Sequence, residues 1–141
     1  MARRSPYLRD WRLADVIAAI TLMGTYPYAS LPWPDWADRL GPPKSAPDWR
    51  TVFAEHPEFF RLSAEEAEWA SLRLRFGFDR VYSVREGREL PFEKRQNILL
   101  ESEEYKDLSR RPLEPSELEA LTKIAIELHA RAIAQEGEPA G

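Results

Sequence analysis

The 141 residues predict a mainly α fold with a small β-hairpin, followed by a connector and a long C-terminal helix. Three stretches carry that prediction. Leu13, Val16, Ile17, Ile20 and Met23 recur at the spacing of one helix face. Trp49, Val52, Phe53 and His56 do so over a shorter run that stops at Pro57, after which come an aromatic segment, an acidic turn and an alternating segment. Near the end, Ser116 and Glu119 form a capping-box pattern ahead of the stripe Leu118, Leu121, Ile124, Ala125, Leu128 and Ala132.

Taken in order, residues 1–9 are expected to be a basic flexible tail. The first helix is expected from Asp10 or Trp11 to about Thr25, with Asp10 as N-cap and Gly24 where the helix should end. Pro27, Pro32 and Pro34 then exclude a long regular element, leaving a brief extended piece at 28–31. Residues 34–41 read as a two-turn helix with Trp36, Ala37 and Leu40 facing inward: proline suits the first turn, acidic groups favour the N-terminal end, and Gly41 closes it. Ser45 or Asp48 caps the third helix, and Pro57 ends it, because the residue before a proline is pushed out of the α region. Residues 58–62 read as a strand, and 63–68, with three glutamates, as a turn. Residues 69–76 read as a half-buried antiparallel strand, with Leu72, Leu74 and Phe76 inward and Ser71, Arg73 and Arg75 outward.

Beyond residue 76 the pattern loosens. Val81, Tyr82 and Val84 have strand character and Glu86-Gly87 can turn a small hairpin; a loop laid over the domain is the alternative. Residues 92–100 read as a helix, continued or restarted through 102–108. The last helix spans 115–136, about 30 Å at 1.5 Å per residue. Ile126 and Ile133 fall outside its main stripe, seven residues apart, so apolar surface is expected on two sides of it. A helix of that kind is expected to be clamped between its own chain and a partner. Residues 137–141 complete the chain as a flexible end.

Composition narrows the chemistry. The chain has no cysteine, which excludes disulfides, thiol catalysis and Cys-based zinc sites and fits a reducing compartment. It contains no HExxH, phosphate-binding glycine loop, dinucleotide turn or GxSxG. Its two histidines, His56 and His129, are far apart in sequence, and His129 and Glu127 point to different sides of the last helix. The expectation is a non-enzymatic protein with no catalytic residues, no cofactor and no metal. The apolar run 16–23 is well short of the roughly 18 residues that span a bilayer. Arg3-Arg4 is followed by no small-residue cleavage site, and a cytoplasmic location is expected.

Charge is unevenly spread around a net −4. Residues 1–60 balance, whereas 101–141 carry five basic and ten acidic groups. The helix 48–56 holds Asp48, Arg50 and Glu55, and the turn after it holds Glu65, Glu66 and Glu68. Both repel phosphate. A basic surface is expected further on, at Arg73, Arg75, Arg80, Arg85, Arg88, Lys94 and Arg95; ion pairing with the chain's own glutamates is the competing account. Of the five tryptophans, Trp33, flanked by Pro32 and Pro34, is the best candidate for an exposed anchor.

The run DWRTVFAEHPEFFRL followed by ASLRLRF resembles the third helix and wing of winged-helix domains, with the resemblance covering residues 10–76. It implies a winged-helix domain at 10–76, a connector at 77–114 and the C-terminal helix at 115–136. Winged helices, many of them in bacterial-type regulators, serve both DNA binding and protein association. The segment LSRRPLEPSELEALTKIAIELHARAIA resembles a distinct family element to which no function attaches. The leading expectation is a protein-interaction or assembly module that uses Trp33, Arg50, Leu121, Ile126 and Ile133, with self-association or a protein partner at the last helix. The alternative is a DNA-binding regulator using Arg50, Arg73, Arg75 and Arg80.

Overall fold

A computed structural model describes residues 4–64, 68–90 and 108–137. The fold is mainly α, with two small antiparallel sheets and a long C-terminal helix. Its helices are α1 (Arg12–Thr25), α2 (Trp33–Leu40), α3 (Trp49–Glu55), the single turn α4 (Arg73–Phe76) and α5 (Pro115–Glu136). Strands β1 (Ser30–Pro32), β2 (Phe60–Leu62) and β3 (Trp69–Leu72) form one sheet in the order β1-β3-β2. Strands β4 (Tyr82–Ser83), β5 (Arg88–Glu89) and β6 (Leu108–Ser109) form the other, in the order β5-β4-β6. The glutamates Glu65 and Glu66, the bases Lys94 and Arg95, and the helix expected over 92–107 lie outside the described residues, and Leu108 belongs to β6.

Helix α1 is the centre of the packing. It touches α2, α3, β3, α5 and the 3₁₀ turn Pro6–Leu8, which puts Tyr7 into the core where a flexible tail was expected. Its apolar stripe, Val16, Ala19, Ile20 and Met23, is buried as the periodicity requires. The buried face also continues through two charged residues, Arg12 and Asp15. The cap is not Asp10: Trp11 precedes the helix with φ 69°, and the Asp15 N–H reaches its carbonyl at 3.0 Å. Gly24 does not end the helix either. It lies in the last turn, where a Cβ would stand 3.0 Å from Leu113 Cδ1 and 3.1 Å from Leu118 Cδ1, so its lack of a side chain lets α5 approach.

Helix α3 and the strands after it follow the sequence closely. Asp48 caps the helix through the Thr51 N–H at 2.8 Å, and Trp49, Val52, Phe53 and His56 are buried. After Pro57 the His56 carbonyl accepts from both Phe59 and Phe60 N–H, which turns the chain into β2. Strand β3 sits between β1 and β2, with Leu31 opposite Ala70 and Phe60 opposite Leu72. Trp36, fully buried on α2, donates its indole N–H to the Ala70 carbonyl at 2.8 Å and so ties α2 to this sheet.

One prediction fails here. Residues 69–76 are not a single strand: β3 ends at Leu72 and the chain turns helically through α4. The turn reverses the expected faces, leaving Leu74 and Phe76 exposed and Arg75 fully buried. Two-residue alternation sets side-chain direction only while the backbone stays extended. The hairpin expected around Glu86-Gly87 is present as β4 and β5, with Gly87 in the left-handed region at φ 67°.

Helix α5 packs back on α1 and joins the same core through Ala125 and Ala132. Its cap differs from expectation. Glu114 and Glu117, not Ser116 and Glu119, form the capping box, with Pro115 in the first turn. Ile124, placed in the inward stripe by its spacing, is 44% exposed; Leu121, proposed as a partner contact, is half-buried against the core.

Candidate functional site

The outer side of α5 is built from its two ends inward. At the start, Glu117 accepts the Glu114 N–H at 2.7 Å and receives a two-pronged Arg111 fork at 2.8 and 3.0 Å. The Arg111 fork first, and the Glu114 N–H second, hold the Glu117 carboxyl below its usual range. The Leu113 N–H donates to the Gly24 carbonyl at 2.9 Å, which fixes where α5 leaves α1. At the other end α5 meets the Pro6–Leu8 turn, and Arg4 pairs with Glu136 at 3.1 Å.

With Leu118, Leu121, Ala125, Leu128 and Ala132 packed inward, the face left over has a definite pattern. Glu119, Lys123, Glu127 and Arg131 lie exposed at intervals of four, alternating in sign. Ile124 flanks this strip on one side, and Ile126 and Ile133 (49% and 52% exposed) flank it on the other. Among the described residues none of the four charged groups is ion-paired.

Of the predicted basic surface, Arg75 is taken up inside the chain, whereas Arg73, Arg80, Arg85 and Arg88 are exposed. Arg75 donates to five backbone carbonyls: Met23 at 2.8 Å, Pro27 at 2.7 Å, Tyr28 at 3.4 Å, Arg110 at 3.0 Å and Arg111 at 2.9 Å. It joins the end of α1, the bend after it and the approach to α5, and it cannot reach a phosphate. Burial pulls its guanidinium down to about 10, so it stays charged at neutral pH. Arg50 is exposed on α3 but pairs with Glu68, and Arg73 donates to the Pro57 carbonyl. Arg80 is exposed in the turn after α4. Trp33 is not the exposed anchor: it begins α2 half-buried against the core, while Trp11 and Trp69 are 63% and 41% exposed.

A polar network that sequence reasoning missed lies under α1 and α3. Arg12, fully buried, donates to Ser45 Oγ at 2.8 Å and Glu55 Oε1 at 2.9 Å and lies 3.2 Å from His56 Nε2. A guanidinium only donates, so His56 Nε2 accepts and its Nδ1–H points to Glu58, 3.4 Å away. Asp15 accepts from the Lys44 N–H and from the Ser45 N–H and hydroxyl. Burial works against the Glu58 carboxylate, but hydrogen bonds led by His56 outweigh it and hold the carboxyl below its usual range. Both charged residues could have been found at i and i+3 of the stripe that continues at Val16 and Ala19. The network joins elements, and its outer member Glu58 also lines a cleft with Tyr7 and Arg131.

Among the described residues no group of three or more His, Cys, Asp or Glu is placed to hold a metal ion. No described helix is long and apolar enough to cross a membrane. No family model, curated protein or solved structure matches the chain.

Proposed function

We propose that the chain is a non-enzymatic assembly module, built on a winged-helix core, that associates through the outer face of α5 with a second copy of itself. The element order α1-β1-α2-α3-β2-β3 and the sheet order β1-β3-β2 support the winged-helix reading. The observation that carries the association is the unpaired, sign-alternating strip on α5 between exposed isoleucines. An antiparallel copy centred on Ala125 brings Glu119 and Lys123 of one chain level with Arg131 and Glu127 of the other. Ile124 and Ile126 then sit beside the centre, where apolar contact is drier and worth more. A face one helix wide makes a modest interface, so exchange between monomer and dimer is expected rather than a permanent pair.

DNA reading loses support from the same geometry, because Arg75 is enclosed by carbonyls and Arg50 is paired with Glu68. Sedimentation velocity over a wide protein concentration range tests the association. The native chain should shift from monomer to dimer, Ile124→Glu with Ile126→Glu should stay monomeric, and Lys123→Glu should weaken pairing. Adding Glu127→Lys to Lys123→Glu should restore it. A chain that is monomeric throughout, or isoleucine variants that associate normally, would overturn the proposal.

A further inference from the structure

We infer that the cleft between β1, β3 and β6 binds a small organic carboxylate with an apolar or aromatic body. This inference does not depend on α5 pairing, since the cleft is formed by other elements. It has a volume of about 520 Å³, inside the roughly 300–1,000 Å³ range of small-molecule sites. Tyr28 and Leu31 line it from one segment, Trp69 and Phe76 from a second, and Leu108 and Arg110 from a third. Trp69 and Phe76 are 41% and 42% exposed, so large apolar surface remains uncovered there.

The cleft is held open before any ligand arrives. Arg75 donates to the carbonyls of both Tyr28 and Arg110, and the Ala29 N–H donates to Ser109 Oγ at 2.7 Å. These bonds join the two sides behind the cleft, so binding does not have to order them.

Its electrostatics select the ligand's charge. Among the described residues no carboxylate lines the cleft, and Arg75 behind it has no acidic partner. Arg110 Nε is shielded from solvent and has no hydrogen-bond partner, and Nη1 makes a single long contact of 3.4 Å to the Ser109 carbonyl. A shielded guanidinium donor without an acceptor is costly, and a carboxylate, which engages two such N–H groups at once, is the group that satisfies it. A cationic ligand would be repelled, and a neutral carbonyl can accept from these donors but does not offset the guanidinium charge. A bare inorganic anion would leave the aromatic surface uncovered.

Titration of the full chain with sodium octanoate, followed in ¹H–¹⁵N spectra, tests the inference, with octanamide as the uncharged match. Saturable shifts of the Trp69 indole N–H and Arg110 Nε–H with octanoate, and weaker binding of octanamide, are expected. Arg110→Met should lower octanoate affinity on the order of tenfold or more and octanamide affinity by much less. The unliganded spectrum of that variant reports whether it has folded, and Arg110→Lys, which keeps the charge without the fork, should fall between the two. The inference is overturned by octanoate shifts that miss Trp69 and Arg110, by equal binding of octanoate and octanamide, or by an Arg110→Met variant that binds octanoate as the native chain does.

Discussion

Arg75 shows how far one side chain can depart from what its neighbours in sequence imply. In an alternating run it reads as a solvent-facing cation, yet its three guanidinium nitrogens are engaged by carbonyls from three separate segments. Removing it leaves those acceptors shielded without donors. Arg75→Met is expected to lower unfolding stability by about 3 kcal/mol, from several lost bonds partly offset by relief of the buried charge. Arg75→Lys should recover only part of this, since an ammonium lacks the planar fork. Urea denaturation at neutral pH measures both; a loss no larger than that of Arg80→Met would contradict the clamp. Burial lowers the folded pKa to about 10, below its value in the unfolded chain. Between those two values the unfolded chain holds more protons, so this group alone makes stability rise with pH there, and at neutral pH it contributes no slope.

Elements differ in how much of their form is local. Helix α3 was legible apart from its cap, left between Ser45 and Asp48, because an Asx cap, a one-sided stripe and a closing His-Pro all act within a few positions of one another. The span of α5 matches the expected 115–136, but its capping box was misplaced by two residues. Ser116 and Glu119 match the capping-box pattern better than Glu114 and Glu117 do, but Pro115 occupies the first turn and Arg111 holds Glu117 through a fork. That contact makes a pH prediction. The Glu117 and Glu58 carboxyls are both held below 4.5 in the folded chain, so the stability they add is present above 4.5 and lost as pH falls through their folded values. Urea midpoints measured from pH 7 downward should fall in the acid range, and Glu117→Gln should be less stable at pH 7 with a shallower acid slope. An unchanged slope would mean that the cap does not carry the linkage.

At the scale of the molecule, α1 and α5 belong to one core. Val16, Ala19, Ile20 and Met23 share a cluster with Ala125 and Ala132 as well as with Trp36, Phe53 and Leu72. The long C-terminal helix is therefore part of the packed unit, not an appendage to residues 10–76. Native-state hydrogen exchange should show α1 amides among the slowest, with α5 amides facing α1 close behind, and the two-residue strands β4 and β5 among the fastest. Fast exchange throughout α5 alongside a protected α1 would instead mean that the helix docks loosely.

The sequence by itself determined α1, α2, α3 and α5, the break at His56-Pro57 and the two-sided character of the last helix, and it offered the hairpin at Glu86-Gly87 beside a loop, because each depends on periodicity, capping or turn chemistry within one stretch. Tertiary structure alone decided the rest. It buried Arg12, Asp15 and Arg75, turned the end of β3 into a helical turn, tucked Trp33 and Leu121 inward and exposed Ile124. A buried charge is stable only where distant segments supply its hydrogen bonds, and which segments come near is set by packing across the whole chain. The cleft beside Arg110 arises in the same way, between segments that only the fold brings together.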